Sequence, residues 1–345
     1  MDKSKINSEV THGNLPLERV LKLLAEDSDS LYNFMGKPYL VMPTTNSWYA
    51  QVVKNLQKTH YDGSAMIQTT IGAALDVVDD GDTVFIAPKD MAQTDTDPNS
   101  YSENLIISES NIKLIGLSSN KTQGGLPQLK VGATTTQAIL TIRAAGAQIV
   151  NIGMNGAGAT GGGILLDDDG GSSKVAFGTQ ISDCHFKNCK GTTATDARTG
   201  GAIQWASAGN SWQSSIKRCQ FYKNVGDIVL LGTSGSVPQD VVIAGNDFLG
   251  LATSVDCHIY LAAGSGMASV MIRDNYFADV LPALGSGSVV RYVDLTGCTG
   301  LFANNYFGGV YTTAGFGAAK AAAKIPTTVG MPHNYSDSGL IVREA

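Results

Sequence analysis

The chain has 345 residues, of which 43% are hydrophobic and 16% charged, and its formal net charge is −6. This length and apolar fraction suffice for a sizeable buried core, which excludes wholesale disorder. With 24 basic against 30 acidic side chains and no basic run, the chain lacks the charge pattern of a nucleic-acid-binding protein. No uncharged apolar stretch reaches the roughly 18 residues of a membrane span, and no signal-like apolar region opens the chain. Neither nucleic acid nor a membrane is an expected partner.

The first 62 residues are predicted to form an N-terminal attachment or helical segment. The stretch LPLERVLKLLAEDSDSLYNF from Leu15 is amphipathic, with Leu17, Val20, Leu21 and Leu24 on or near one stripe. Such a stripe either attaches the chain to a partner or folds back along the chain's own core. The pattern leaves both alternatives open.

A capping helix is predicted next. The segment MIQTTIGAALDVVDDGD has apolar residues at helical spacing, which are Ile67, Ile71, Leu75 and Val78. Gly81 ends this segment before a strand that starts at Thr83. We therefore expect a helix that covers the N-terminal end of the fold that follows.

A six-residue pattern then recurs: an apolar residue, two variable ones, a small polar residue or thiol, one variable residue and a large apolar residue. It reads IKLIGL from Ile112, IVNIGM from Ile149, ISDCHF from Ile181, IKRCQF from Ile216, IAGNDF from Ile243, IRDNYF from Ile272 and FANNYF from Phe302. The closing residues follow one another at intervals of 27 to 37 residues. Such spacing is typical of turns of one coil with loops of different length.

A second pattern lies between these copies. Apolar residues stand two positions apart in the pairs Ile164 and Leu166, Ile203 and Trp205, Ile228 and Leu230, Ile259 and Leu261, and Val293 and Leu295. A period of two indicates strands with one buried face. Short strands in units of about 30 residues predict an all-β, single-stranded parallel β-helix, a solenoid, over residues 63–310.

The small residue at the fourth position of the pattern is expected to lie at a bend. From the third copy onward this position is occupied by Cys184, Cys219, Asn246, Asn275 and Asn305. Asparagine tolerates the left-handed conformation that a sharp bend requires. We predict a structural ladder in which the asparagine amides are hydrogen-bonded between rungs.

Residues 311–345 are predicted to form a C-terminal cap or a contact between subunits. The sequence GFGAAKAAAKIPTTVG predicts an alanine-rich helix that ends near Pro326. Leu340, Ile341 and Val342 form an apolar run after it. This tail either covers the last rung or docks on a neighbouring subunit.

The opening of the predicted coil resembles a known superfamily. The stretches IGAALDVVDDGDTVFIAP, SYSENLIIS and NIKLIGL resemble the start of pectin-lyase-like β-helix proteins, and the resemblance covers roughly residues 65–310. It implies a right-handed coil with a helical N-terminal cap. The superfamily includes pectate lyases, polygalacturonases, pectin esterases, bacteriophage tailspikes and virion proteins without enzymatic activity, so the resemblance specifies no single function.

The catalytic patterns of those enzymes are incomplete here. Tyr101 and Glu103 match the esterases' Tyr-x-Glu, but the later catalytic aspartates have no counterpart. Of the polygalacturonase motifs only an aspartate pair occurs, within Asp167, Asp168 and Asp169. We interpret that cluster as a solvated turn, with a carboxylate or calcium site as the lesser alternative. The sequence leans against an enzyme.

The period of two also places a row of residues on the outer face of the second pattern's strands. These residues are Gln204, Asp227, Val229, His258, Tyr260, Tyr292 and Asp294. Apolar and aromatic side chains on an outward face favour a protein interface, with glycan contact as the alternative. If the chain were a glycoside hydrolase, Asp227 and Asp294 could supply the required carboxylate pair.

The five cysteines are scattered without any CxxC spacing, which predicts small buried thiols and neither a disulfide framework nor a zinc site. No cofactor and no metal are expected. Taken with the superfamily, these observations favour a bacteriophage virion protein that is assembled in the host cytoplasm. We expect a homotrimeric β-helix, a decoration, fibre or spike component, that contacts capsid or tail proteins. The alternative is a tailspike-like protein that degrades or binds host surface polysaccharide.

Overall fold

Parallel strands wind into three sheets around one apolar core. The computed structural model describes residues 36–59, 66–89, 100–117, 126–169, 175–192, 199–206, 211–232, 237–250, 257–278, 293–308, 323–336 and 339–341. The predicted parallel β-helix is confirmed, because successive strands from β3 to β28 visit sheets A, B and C in turn and all pair in parallel with the strands of adjacent turns. Each visit to all three sheets is one rung of the coil.

The bounds of the elements are as follows. Sheet A contains β1 (Pro38–Val41), β2 (Ile67–Gln68), β3 (Thr83–Ile86), β6 (Lys113–Gly116), β9 (Gln148–Val150), β12 (Gln180–Ser182), β15 (Ser215–Lys217), β18 (Val242–Ala244), β21 (Val270–Arg273), β24 (Gly300–Ala303) and β27 (Val329–Gly330). Sheet B contains β4 (Ser100–Ser102), β7 (Gln128–Lys130), β10 (Gly153–Asn155), β13 (His185–Lys187), β16 (Gln220–Tyr222), β19 (Asp247–Phe248), β22 (Tyr276–Phe277), β25 (Tyr306–Phe307), β28 (Asn334–Ser336) and β29 (Gly339–Ile341). Sheet C contains β5 (Leu105–Ile107), β8 (Leu140–Ile142), β11 (Ile164–Leu166), β14 (Ile203–Trp205), β17 (Gly226–Leu230), β20 (Cys257–Tyr260), β23 (Val293–Asp294) and β26 (Ala323–Lys324). The helices are α1 (Tyr49–Thr59) and α2 (Ile71–Leu75).

The repeated six-residue pattern marks the corner between sheets A and B. Its closing phenylalanines point inward and stack in a column with ring centroids 4.5 to 5.2 Å apart. This column contains Phe186, Phe221, Phe248, Phe277 and Phe307. Offset-stacked rings that are also fully buried supply much of the apolar stabilisation of a core.

The left-handed residue of each corner is the third residue of the pattern, not the fourth as predicted. The third residues have φ between 53° and 65°, and they are Asn151, Asp183, Arg218, Gly245, Asp274 and Asn304. Because the bend falls one residue earlier, the fourth side chain points into the corner. There it can bond the backbone groups that the bend leaves without ladder partners.

An asparagine ladder occupies the inside of this corner. In each rung the asparagine Nδ2 donates to the Oδ1 of the next asparagine at 3.0 Å, in the sequence Asn246, Asn275, Asn305 and Asn334. Each Oδ1 also accepts from the backbone N–H one rung earlier, as from Cys219 to Asn246 at 2.9 Å. The thiols of Cys184 and Cys219 continue the ladder with longer contacts to backbone carbonyls.

Two copies of the pattern were misjudged in the sequence. Leu114, not Ile112, pairs with Ile149, so the first copy is offset by two residues and its rung has a longer connection between sheets A and B. An eighth copy, Met331–Ser336, was missed because a serine replaces the closing aromatic residue. His333, its third residue, has φ 54° like the other third residues.

The N-terminal end of the core is covered by a shorter helix than predicted. Ile71 and Ala74 of α2 are buried in the core, whereas Ile67 lies in β2 and not in the helix. Gly81 ends the segment with φ 89°, as expected for a left-handed glycine. The predicted amphipathic stretch from Leu15 lies outside the described residues.

A second, smaller apolar cluster lies on the outer face of sheet A. Val52 of α1 is buried there together with outward residues of four successive strands, which are Leu40, Phe85, Ile115 and Val150. In the following rungs the same column continues with Ser182 and Lys217. The outer face of this sheet is therefore apolar where α1 covers it. Among the described residues no helix is both long and apolar enough to span a bilayer.

The C-terminal end departs from the predicted helix. Ala323 and Lys324 form β26, paired with β23, so a helix does not extend to Pro326; residues 309–322 lie outside the described part. The last strand, β29, runs antiparallel to β28, and Ile341 packs against the core while Leu340 is exposed. Val342 is not among the described residues. Strands of the sheets thus occur both before residue 63 and after residue 310.

We expect Asn275→Ala to destabilise the protein by about 2 to 4 kcal/mol. The substitution removes an amide that bonds Ile243 O and both neighbouring asparagines, and it leaves their buried polar groups without partners. Chemical denaturation measures the change. Gln180→Ala, at an exposed position of sheet A, is the control and should change stability by less than about 0.5 kcal/mol. Equal effects of the two substitutions would contradict a stabilising role for the ladder.

Candidate functional site

The predicted outward row on sheet C is mostly buried. Gln204 and Val229 pair in register on neighbouring strands, as expected, but their exposed fractions are only 5% and 0%. His258 and Asp294 are also buried, and Tyr260 is half-buried. Tyr292 lies outside the described residues. The predicted solvent exposure is therefore wrong for Gln204, Asp227, Val229, His258 and Asp294, whereas Tyr260 keeps part of its surface exposed.

Gln204 has a local structural task instead. Its Nε2 donates to Gly161 O at 2.7 Å, and its Oε1 accepts from Gly201 N at 3.1 Å. A Cβ built on Gly162 would lie 2.6 Å from the Gly201 backbone oxygen, and Gly162 has φ 84°, so this corner requires glycine there. Gln204 braces the glycine-rich corner between sheets B and C.

Asp227 and His258 form a fully buried pair. The Asp227 Oδ2 contacts the His258 Nδ1, and Asn224 Nδ2 donates to Asp227 Oδ1 at 2.8 Å. The His258 ring lies 5.4 Å from the Phe248 ring and 5.8 Å from the Phe277 ring, between centroids. His258 thus packs against the inner aromatic column and does not project outward as predicted. The alternation fails here at the second residue of each strand, Asp227 in β17 and His258 in β20.

This burial changes the chemistry of Asp227. Removal from water raises the pKa of Asp227, and the contacts with His258 and Asn224 oppose that rise only in part. A carboxylate with 0% exposure cannot touch a polysaccharide. The pair is a polar element of the core.

Asp227 and Asp294 do not form a glycosidase pair. Val229 aligns with Tyr260 and Tyr260 with Asp294, so the two aspartates lie two rungs and two residues apart. Strand spacing and rise then put their Cα atoms about 12 Å apart. Because Asp227 is fully buried, it cannot act on a sugar together with Asp294. Asp294 Oδ1 instead accepts from Thr296 N at 3.1 Å and from its hydroxyl at 2.6 Å.

Two members of the aspartate cluster after β11 pair with an arginine. Arg143 Nε lies 2.8 Å from Asp167 Oδ2, and its Nη1 lies 2.9 Å from Asp169 Oδ1. Asp167 and Asp168 are buried and only Asp169 is exposed, so the predicted solvated turn is wrong for the first two. In the described part of the chain no group of three acidic, histidine or cysteine residues could hold a metal ion, so the lesser calcium alternative gains no support.

The Tyr-x-Glu motif is also structural. Glu103 accepts from the backbone N–H groups of Ile71 and Gly72 at 3.1 and 2.7 Å, and so caps the N-terminus of α2. The Tyr101 hydroxyl donates to Ala87 O at 2.8 Å. Neither residue is placed to act on a ligand.

The five cysteines are free and buried, as expected. Burial raises the pKa of Cys298 to about 11 and that of Cys189 to about 12. Thiols with such pKa values are poor nucleophiles at neutral pH.

Sequence reasoning missed an exposed aromatic column on sheet B. Tyr276 aligns with Tyr306 and Tyr306 with Tyr335 on three successive strands, and each is about 40% exposed or more. The Tyr276 and Tyr306 rings are stacked, with centroids 5.5 Å apart and planes 10° apart. We call these three residues the tyrosine column. The signal was present at the fifth position of the repeated pattern, which is outward because it precedes the inward closing residue.

The tyrosine column has one exposed apolar neighbour in register, since Leu340 of β29 aligns with Tyr335. Its first rung also carries the ion pair of Arg273 and Asp274, but the rungs after it carry few charges. From β24 to β29 the described residues near this corner carry no Asp, Glu or Arg, and Lys324 is on sheet C. The rungs before the column carry Lys187, Lys217 and other charges. Aromatic residues, Met and a low density of charge characterise the centre of protein interfaces.

The comparisons with known proteins concern the fold. No protein-family model matches the chain, and no curated protein matches it. Among solved structures, the chain is similar to a pectin methylesterase in complex with a hexasaccharide, at 11% identity and a TM-score of 0.32, over 83% of this chain and 89% of that one. At these values the similarity assigns no role to any residue of this chain.

We compare the free energies of unfolding of the parent protein and of Asp227→Asn. We expect the parent's value minus the variant's value to fall as the pH rises from 4 to 7. Because burial raises the pKa of Asp227, this carboxyl binds its proton more tightly in the folded than in the unfolded chain. Its contribution is fully present below the ordinary pKa of about 3.9 and is lost as the pH rises through the folded pKa.

Denaturation of both proteins at several pH values in this range measures the difference. The control is Val229→Ala, a buried change in the same strand without a titrating group, whose difference from the parent should not depend on pH. A pH-independent difference for Asp227→Asn as well would contradict the raised pKa.

Proposed function

We propose that this β-helix is a structural component of a bacteriophage virion, a decoration, fibre or spike protein that stabilises the particle or projects from it. One observation carries the proposal: the carboxylates that the sequence offered for glycan chemistry have structural partners. Asp227 contacts His258, Asp294 binds Thr296, and Asp167 pairs with Arg143. The tyrosine column is an exposed aromatic feature of the described part of the coil, and it suits contact with protein.

The coil is suited to a mechanical role. Parallel ladders connect every rung to the rungs on both sides, and the longest sheet joins 11 strands. Opening one rung breaks backbone bonds to two neighbours, together with the asparagine ladder and the phenylalanine column. Such solenoids resist local opening, and few strand edges are left for proteases. Capsid or tail proteins are the partners that this role implies.

A glycan-binding or glycan-degrading spike is the second candidate. The column of the tyrosines continues on sheet B with Asp247 and Gln220, which are half-buried polar groups able to bond sugar hydroxyls. Against this candidate, the faces of Tyr276 and Tyr306 are turned towards each other, and a sugar ring stacks on an aromatic face. We therefore place it second.

We expect the purified protein to release no product from capsular, lipopolysaccharide or pectic polysaccharides. The candidate carboxylates are buried or paired, so no acid and base pair is offered to a sugar. Product release is measured by reducing-end and unsaturated-uronate assays, with a polygalacturonase and a pectate lyase as positive controls for assay conditions. Cleavage that Asp294→Asn abolishes without unfolding the protein would establish the enzyme instead.

Particle location is tested separately. Purified phage particles produced by a host that carries this gene should contain the protein by mass spectrometry, and antibodies should label the head or the tail in electron micrographs. If intact particles lack the protein while the lysate contains it, the virion assignment is overturned.

A further inference from the structure

We propose that Cys184 and Cys219 are an oxidisable thiol pair, and that a disulfide between them joins two successive rungs of the coil. The bond forms when the two thiols react with a peroxide. Both thiols are free and buried in the chain as described above. The inference goes beyond the proposed function, because it depends on the packing of the coil and not on where the protein is located.

The register stacks the two cysteines on one another. The strands before them, β12 and β15, pair in parallel, and so do the strands after them, β13 and β16, with two residues between the strands in each rung. Gln220 N donates to Cys184 O at 2.9 Å, which ties the two backbones together at this point. Equivalent Cα atoms of paired strands lie about 4.8 Å apart, within the roughly 4.4 to 6.8 Å that a disulfide spans. The backbone therefore needs no rearrangement.

The two side chains also point the same way. Cys184 Sγ lies 3.6 Å from Ile149 O of the preceding rung, and Cys219 Sγ lies 3.8 Å from Ile181 O, which belongs to the rung of Cys184. The Cys219 thiol is thus directed along the coil towards the other cysteine. Burial raises the pKa of Cys219, and a hydrogen bond with the Cys184 thiol raises it further, so the two thiols are already in contact.

The other three cysteines face different residue types. Cys189 N donates to Asn224 Oδ1, Cys257 is paired with Gly226, and Cys298 lies between β23 and β24. In the described part of the chain no other two cysteines occupy equivalent positions of paired rungs. Because a disulfide requires two thiols within one rung spacing, oxidation to a disulfide selects this pair.

The reaction balances with one molecule of hydrogen peroxide. One thiolate attacks a peroxide oxygen, the O–O bond breaks, and a sulfenic acid and hydroxide are formed. The second thiolate attacks the sulfenic sulfur, the S–O bond breaks, and the disulfide and a second hydroxide are formed. The two protons released by the thiols convert both hydroxides to water, so the thiols lose two electrons and the peroxide gains them. Hydrogen peroxide is small and uncharged, which suits an oxidant that must reach a buried corner.

The disulfide strengthens the part of the corner that lacks the amide ladder. Cys184 and Cys219 hold the position at which Asn246 and the later asparagines bond side chain to side chain, and the thiol contacts are longer. The bond closes a loop between positions 35 apart, which restricts the unfolded chain. Thiols stay reduced in a cytoplasm and are oxidised outside it. If the timing follows the proposed function, the rungs are joined only after the particle leaves the host.

Peptide mapping of the folded, full-length protein tests the inference. The protein is treated with hydrogen peroxide at about pH 8.5, where thiolates form, then freed of peroxide with catalase, denatured, alkylated and digested with trypsin. Cleavage after Lys187 and Arg218 puts Cys184, Cys189 and Cys219 on different peptides. We expect the Cys184 and Cys219 peptides to be recovered joined to each other, and the alkylated cysteines to fall from five to three. Dithiothreitol should restore all five.

The same treatment should raise the midpoint of thermal unfolding by about 5 °C. Cys219→Ala leaves Cys184 without a partner and should show no rise, whereas Cys298→Ala, the matched control, should show the rise of the parent. The peroxide also oxidises exposed methionines such as Met271, but dithiothreitol does not reduce methionine sulfoxide. Reversal of the rise by dithiothreitol therefore separates the disulfide from methionine oxidation.

Three results overturn the inference. They are five alkylated cysteines after the treatment, cysteines that are oxidised without being joined, and a disulfide that joins any other two cysteines. A rise that Cys219→Ala retains contradicts it as well, provided that circular dichroism shows this variant folded; otherwise the peptide map of the parent decides. None of these results bears on the particle experiment above, so this inference and the virion assignment fail independently.

Discussion

The in-register stacking of one rung on the next is the constraint on which the rest of this structure depends. Parallel pairing places equivalent residues about 4.8 Å apart, so each position of a rung becomes a column along the coil. A column of phenylalanines stacks, a column of asparagines bonds amide to amide, and a column of left-handed residues bends the chain at the same place in every rung. The asparagine amides, which would be costly to bury singly, satisfy one another's hydrogen-bonding groups. The same rule orders the tyrosines on the outside of sheet B.

Much of this fold could be predicted because the columns are visible as repeats. Successive copies of the six-residue pattern form structurally equivalent corners. Their apolar periodicity therefore predicted the coil, the inward phenylalanines and the asparagine ladder. The first copy was offset because Leu117 closes the pattern by chance while Leu129 is the residue that aligns with Met154. The eighth copy was missed because it ends in Ser336, whereas the pattern was recognised by a large apolar closing residue. Register is decided by backbone pairing, which a short apolar match does not determine.

The candidate site was less predictable, and for two physical reasons. Period-two alternation fails at the start of β17 and β20, where Asp227 and His258 are fully buried and the His258 ring packs against Phe248. Alternation also says which face a residue is on, but not whether that face is covered, and Val229 faces outward yet is buried. The tyrosine column could have been found by reading the fifth position of each copy, since it lies next to an inward closing residue. The pairings of Arg143 with Asp167 and Asp169 join different rungs, and no local pattern predicts them.

The reversed direction of β29 has a consequence for the length of the assembly. An open parallel edge is a template on which the start of another coil could continue, and repetition of that step would build a fibre without limit. Here the last strand of sheet B runs antiparallel to its neighbour. A further rung of the coil would run opposite to this strand, so it could not continue the parallel hydrogen-bonding pattern. At the opposite end, β2 extends sheet A for only two residues and α2 packs on the first rung. Among the described residues, the last strand of sheet B and the packing of α2 on the first rung therefore disfavour continuation of the parallel ladder from one copy into the next.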